Sequence, residues 1–235
     1  MKRVKALVSY NPYDYRYEEV AMPEIGPKEI LLKVKGCGIC AGDIKAYHGG
    51  IRIWGTSEEN RYIEAPVIGG HEFCGEVVSM GAEVTEYEIG DILVSEQIVP
   101  CNECKFCREG KYWMCERSAV FGFKQYAQGG FAEYVKLSEN CINHKVPNGF
   151  TLEQAVLIEP IACGMHAVEK GNIQHSDVVV VAGLGAIGLA IVNMARLYIP
   201  KLIIGIDMKA NRLQTAKEFG ADVVLHPSQC DVAEE

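Results

Sequence analysis

Val178-Val179-Val180-Val181-Ala182, followed by Gly183-Leu184-Gly185-Ala186-Ile187-Gly188, decides how the C-terminal part of this chain is read. Four successive valines favour a buried, extended strand, and the glycine-rich step after them opens an apolar stretch of helical character. A G-x-G-x-x-G sequence counts as a dinucleotide fingerprint only in such a strand, turn and helix context. Gly183 permits the tight turn, Gly185 lets a pyrophosphate approach the backbone, and Gly188 lets helix and strand pack closely. The helix N-terminus at Ala186 and Ile187 supplies amide donors. Asp207 follows Gly188 by 19 residues, at the end of the next expected strand. A carboxylate there accepts the ribose hydroxyls and repels a 2′-phosphate, so NAD is expected over NADP. Arg212 is the residue able to swing over and meet a phosphate. A plain tight turn is the competing reading of the glycines.

The run from Val178 to Ala195 is 18 residues long and uncharged, a length that would suit a membrane helix. Its glycines and its strand-then-turn pattern argue against that. Beyond it, expected strands at 177–182, 201–206 and 222–225 alternate with helices at 186–197 and 209–219, the grammar of an α/β domain. Upstream, to about Pro147, short β-rich runs at 5–10, 29–35, 73–79, 91–99 and 131–137 are separated by Gly, Pro and charged turns. They predict a compact, barrel-like β domain. The pattern turns helical from about Thr151.

The 235 residues suffice for one large or two ordinary domains. With 31 acidic against 23 basic side chains the net charge is −8, which opposes phosphate backbones and anionic membranes, so neither nucleic acid nor membrane is an expected partner. Met1-Lys2-Arg3 is basic, but the apolar stretch after it is broken by Lys5 and ends at Asn11-Pro12, which is not the form of a signal peptide. Ten cysteines would suggest secretion. Four of them are accounted for by one loop and the rest have no regular spacing, so a reducing cytoplasm is expected.

That loop holds Cys101, Cys104, Cys107 and Cys115, spaced C-x2-C-x2-C-x7-C. Zinc takes four tetrahedral thiolates at about 2.3 Å, and two-residue gaps let a short loop wrap one ion. The alternatives are unrelated thiols or two disulfides. A site closed by four thiolates has no place for substrate and is expected to be structural. Further candidates lie in glycine-rich settings: Cys40 and Asp43 in 36–43, His71 and Glu72 in 69–72, and Glu159 before Pro160. Cys40, His71 and Glu159 would offer one sulfur, one nitrogen and one oxygen, leaving a fourth zinc position open for chemistry. Spacing alone does not decide this, because a lone His in a β domain is more often a satisfied core or surface group.

Taken in order, GICAGD at 38–43, GHE at 70–72, the four-cysteine lobe, GFAEY at 130–134, Glu159-Pro160 and VAGLGAIG at 181–188 resemble the zinc-containing medium-chain alcohol and polyol dehydrogenases, including the sorbitol, erythritol and threonine dehydrogenases. The resemblance implies an α+β two-domain fold. A GroES-like catalytic β barrel is expected over 1–165, with a zinc lobe near 100–116, and a partial Rossmann NAD-binding domain over 166–235. It implies one catalytic and one structural zinc, with Cys40, His71 and Glu159 as catalytic ligands, Glu72 as an exchangeable carboxylate, and Asp43 orienting the histidine. It implies hydride transfer from an alcohol or polyol to NAD, and a homo-oligomer, dimer or tetramer, at full length.

Two departures stand out. Where the family usually has Ser or Thr and then His after the zinc cysteine, forming a proton relay, this chain has Gly42 and Lys45; Lys45, Tyr47, His48 or water are the replacements left open. A full doubly wound sheet also has six strands where three are expected here. The chain is therefore expected to be a fragment ending inside the cofactor domain, with the 177–182 strand as an open edge. L-threonine 3-dehydrogenase, an inactive binding or structural protein, and a zinc-loop interaction module are the competing functions.

Overall fold

Residues 2–232 and 234 are described by the computed structural model. They divide into two units, Met1–Glu159 and Pro160–Glu235.

The first unit is built on antiparallel strands. β1 (Arg3–Asn11) pairs with β2 (Asp14–Ala21) and with β4 (Val67–Ile68), while β3 (Ile30–Gly38) lies between β5 (Glu72–Met80) and β9 (Tyr134–Leu137). β6 (Ile92–Ser95) and β10 (Asn143–Lys145) extend that second sheet to the order β10-β6-β5-β3-β9. Alternation drives burial: Ile30, Leu32, Phe73, Val77, Leu93, Val135 and Leu137 converge on one core, where Phe73 meets Phe121 edge-on at 5.1 Å. The expected single strand 91–99 is two. It breaks at Glu96 and Gln97, and β7 (Ile98–Val99) pairs instead with β8 (Ala119–Val120) at the base of the cysteine lobe. Short helices fill the connections: α1 (Ala41–Tyr47), α2 (Ile51–Trp54), α3 (Lys105–Arg108) and α4 (Leu152–Val156). α4 starts at a capping box in which Thr151 and Gln154 exchange backbone and side-chain hydrogen bonds.

α5 (Ile158–Gly171) leads into the second unit, a parallel sheet in the order β11 (Val178–Ala182), β12 (Leu202–Ile206), β13 (Val223–Leu225). α6 (Ala186–Ala195) and α7 (Ala210–Glu218) are its crossovers. Val181, Leu184, Val192, Ala195 and Ile203 form its core. Gly164 of α5 permits a close helix approach, since a Cβ there would fall 2.6 Å from that of Ala190. β11 is not buried on both faces, as its valine run suggests. Val179 and Val181 pack inward, whereas Val178 and Val180 on this edge strand are 50% and 56% exposed.

Phe73→Ala should cost about 3–5 kcal/mol by truncating a fully enclosed ring, while Val180→Thr on the open face should cost less than about 0.5 kcal/mol. Urea unfolding monitored on both variants reads the contrast.

Candidate functional site

The register of β3 against β5 sets Gly38 opposite Glu72. Cys40, just past that pair, and His71, just before it, therefore arrive at the same end of the ladder. Cys40 caps α1, and the Asp43 carboxylate accepts the Cys40 amide at 2.9 Å, a reciprocal cap that locks the first turn. One donor atom each from Cys40, His71 and Glu72 lies within 4.8 Å of the others. His71 and Asp43 are both buried, with Nδ1 and Oδ1 3.8 Å apart, and Nδ1 makes no hydrogen bond. Burial pushes the Asp43 carboxyl up, against the pull of His71 and of backbone amides. Burial likewise raises the Cys40 thiol to about 11, opposed by the Gly42 amide. Glu72 reaches this place across Gly38, where any side chain would collide with its carboxylate.

A sulfur, a nitrogen and an oxygen donor around a buried, unsatisfied imidazole fit a divalent cation such as zinc with a position left open. The oxygen in this group is that of Glu72, the carboxylate expected to be exchangeable near the metal. Glu159 is buried at the head of α5 but is not among the three mutually close donors. Glu72 is the chain neighbour of His71 and shares its strand end.

The second group is all sulfur. Cys101, Cys104, Cys107 and Cys115 place their Sγ atoms within 4.8 Å of one another, with Cys104 to Cys107 at 3.5 Å and Cys101 to Cys107 at 4.0 Å. Those separations exclude a disulfide, whose sulfurs stand at about 2.05 Å. They bracket the edge of about 3.8 Å for a tetrahedron with 2.3 Å arms. Amides of residues 103 and 104 hold the Cys101 thiol down to about 6, while burial raises Cys107 to about 12. The lobe is tied back where Tyr112 donates to Glu96 at 2.8 Å and Arg117 donates to Glu103 at 2.6 Å.

In the second unit the turn after β11 has Gly183 at φ +90°, and a Cβ at Gly188 would collide with the Gly183 carbonyl. Both glycines are thus required by the backbone itself. A Cβ at Gly185, the cap of α6, would meet nothing within 4 Å, leaving the helix N-terminus at Ala186 and Ile187 open to an anion. Asp207 at the end of β12 is held between the Leu184 amide at 2.8 Å and the Lys209 amide at 2.9 Å, with Arg212 at 3.4 Å. These donors, the Leu184 amide foremost, keep its carboxyl below the ordinary range.

Of the residues left open for a proton relay, Lys45 and His48 are exposed, and Tyr47 is 39% exposed. His48 Nδ1 lies 3.3 Å from the Tyr13 hydroxyl, and Tyr47 packs edge-on to Tyr13, Tyr15 and His48. Helix α1 escaped the sequence reading because Gly38 and Gly42 mask its pattern. The Cys40-x-x-Asp43 spacing, a variant of the capping box, is the signal that marks it.

Residues 26–148 match the family described as the alcohol dehydrogenase GroES-like domain. The chain is 40% identical to the erythritol/L-threitol dehydrogenase of Mycolicibacterium smegmatis over 98% of its own length and 64% of that protein. It is 34% identical to the L-threonine 3-dehydrogenase of Symbiobacterium thermophilum over 92% of its length and 59% of that one. An alcohol dehydrogenase from Escherichia coli CFT073, described as short-chain and solved with NADH, superposes with a TM-score of 0.86 at 31% identity, covering 99% of this chain and 65% of that structure. The chain thus spans less than two thirds of the length of these relatives. Among the described residues no helix is long and apolar enough to cross a membrane.

Two zinc equivalents are expected per chain, falling to one in Cys104→Ser with loss of thermal stability, and to one in His71→Ala with little change in melting temperature. The Cys40 thiol must lose its proton on binding, and with its pKa near 11 the affinity of the mixed site should rise about tenfold per pH unit between pH 7 and 9. Competition against a zinc chelator across that range measures the slope, and a flat profile would remove Cys40 from the site.

Proposed function

The chain belongs to the alcohol dehydrogenase GroES-like domain family, and from that premise we propose that it serves a zinc- and NAD-dependent oxidoreductase acting on a secondary alcohol or a small polyol such as erythritol, threitol or sorbitol. The observation that carries this reading is the presence in one chain of a closed four-sulfur group and a mixed, open Cys40, His71 and Glu72 group. The strand, glycine turn and helix of 178–195 add a place for the cofactor. The identity to the erythritol/L-threitol enzyme favours a polyol. Residues 1–165 would be the catalytic domain and 166–235 the start of the nucleotide domain, in a homodimer or homotetramer of the complete protein.

A divalent ion bound by the mixed group supplies Lewis-acid polarisation of a hydroxyl, and NAD supplies the hydride acceptor. The chain's own residues then have defined tasks. Asp43 fixes the first turn of α1 and lends negative charge beside the His71 ring. Cys40, as thiolate, and Glu72 set the charge of the group and so its pull on a substrate proton. Gly185 leaves the α6 amides uncovered for phosphate. Asp207 has about four acceptor positions; the Leu184 and Lys209 amides and Arg212 take three, leaving one directed to a ribose hydroxyl.

L-threonine 3-dehydrogenase is the second reading, supported by the threonine relative, and a binding protein without turnover is the third. The test is NADH formation by the complete protein with erythritol, sorbitol and L-threonine. Polyol turnover at least tenfold above that with threonine, abolished in His71→Ala, is the expected result. The reverse preference supports the second reading, and no turnover with zinc bound supports the third. Asp207→Ala should weaken NAD more than NADP, read as the ratio of kcat/KM values, because the ribose-facing carboxylate is lost. An unchanged ratio would show that another residue sets the preference.

A further inference from the structure

Gly42 stands in the first turn of α1, where neither usual reason for a glycine applies. Its backbone is outside the left-handed region, and a Cβ built on it would lie 3.6 Å from Cys40 Sγ and 3.9 Å from His71 Cε1, ordinary van der Waals separations. Other glycines of this region are explained by their surroundings. At Gly36 a Cβ would press on Val156 at 2.8 Å, at Gly38 it would strike Glu72, and Gly70 has a φ of +89°. Glycine is also the least favourable residue after proline inside a helix, so α1 is weakened by a residue that its own packing does not demand. What the missing side chain leaves is a half-buried space directly against two of the candidate ligands. Gly185 at the nucleotide turn likewise has a φ outside the left-handed region, and a Cβ built there would meet no atom within 4 Å.

We propose that Gly42 determines substrate specificity: it keeps open the space beside Cys40 and His71 that the carbon and hydroxyl next to the reacting carbinol of a small polyol occupy. The inference rests on the alcohol dehydrogenase reading of the same site. A methyl at position 42 would take volume that only the larger substrate uses, so a polyol is hindered and a short monohydric alcohol is not. A pocket of this kind discriminates about 10- to 200-fold for a single methylene.

The test uses the protein with cobalt(II) in the mixed site and zinc kept in the four-cysteine lobe, titrated with erythritol and with propan-2-ol while the visible cobalt bands report binding without turnover. In Gly42→Ala the Kd for erythritol should rise at least about tenfold while that for propan-2-ol stays within about twofold. Gly42→Thr should widen the gap. Cobalt content should match the wild type, and the melting temperature of Gly42→Ala should not fall, since Ala favours the helix. Should Gly42→Thr fail to fold, Gly42→Ala decides. Unchanged erythritol binding in Gly42→Ala, or equal weakening of both alcohols, would overturn the assignment while leaving the dehydrogenase reading intact. A wild-type cobalt spectrum that answers to neither alcohol would contradict that reading and the inference with it.

Discussion

The antiparallel pairing of β3 with β5 is the constraint on which the candidate metal site depends. The ladder runs from Ile30 opposite Met80 to Gly38 opposite Glu72, and its register shifts between Leu31 and Leu32 and again between Val34 and Gly36. Such bulges re-aim a strand end. Here the ladder closes with Gly38 opposite Glu72, so Cys40 and His71 leave from the same end. A slip of one residue would send Phe73 and Val77 out of the core and their polar neighbours in. The hydrophobic pattern of two strands therefore brings Cys40 to the adjacent pair His71 and Glu72, some thirty residues on in sequence, and Gly38 clears the path for the Glu72 carboxylate.

The two candidate cation groups in the first unit differ in how their charge is managed. In the cysteine lobe, backbone amides from the loop itself lower Cys101 and Cys104, so part of the charge is in place without an ion. In the mixed group, burial raises both Cys40 and Asp43 and leaves His71 Nδ1 without a hydrogen bond. A buried polar group without a partner is costly, so the mixed group is strained in a way the lobe is not. The lobe is thus suited to hold an ion for stability, and the mixed group to hold one whose field acts on something else.

Much of this was legible in the sequence where residue spacing and local geometry coincide. The turn from Val178 to Gly188 and the thiols of Cys101 to Cys115 are local motifs, and the structure places them as strand, turn and helix and as one sulfur cluster. The convergence of Cys40 on His71 and Glu72 was not legible from spacing, because it depends on the end of a ladder whose two register shifts leave no mark in the pattern of apolar residues. The division of 91–99 was hidden for a different reason: Ser95-Glu96-Gln97 reads as a short polar interruption within one strand, while the chain changes partner strands there. Asp207 shows a third kind of gap. Its position after a strand was readable, but its bond to the Leu184 amide, which closes the glycine turn, is a tertiary fact.

Zinc K-edge X-ray absorption of the fully loaded protein tests the central claim, that one chain holds an all-sulfur ion and a second, mixed one. Four sulfurs at one site and a single sulfur at the other predict an average of about 2.5 sulfur neighbours per zinc at about 2.3 Å, with a shell of nitrogen and oxygen at about 2.0–2.2 Å. An average of four sulfurs, with no nitrogen or oxygen shell, would mean that only the lobe binds, and would contradict the account of Cys40, His71 and Glu72.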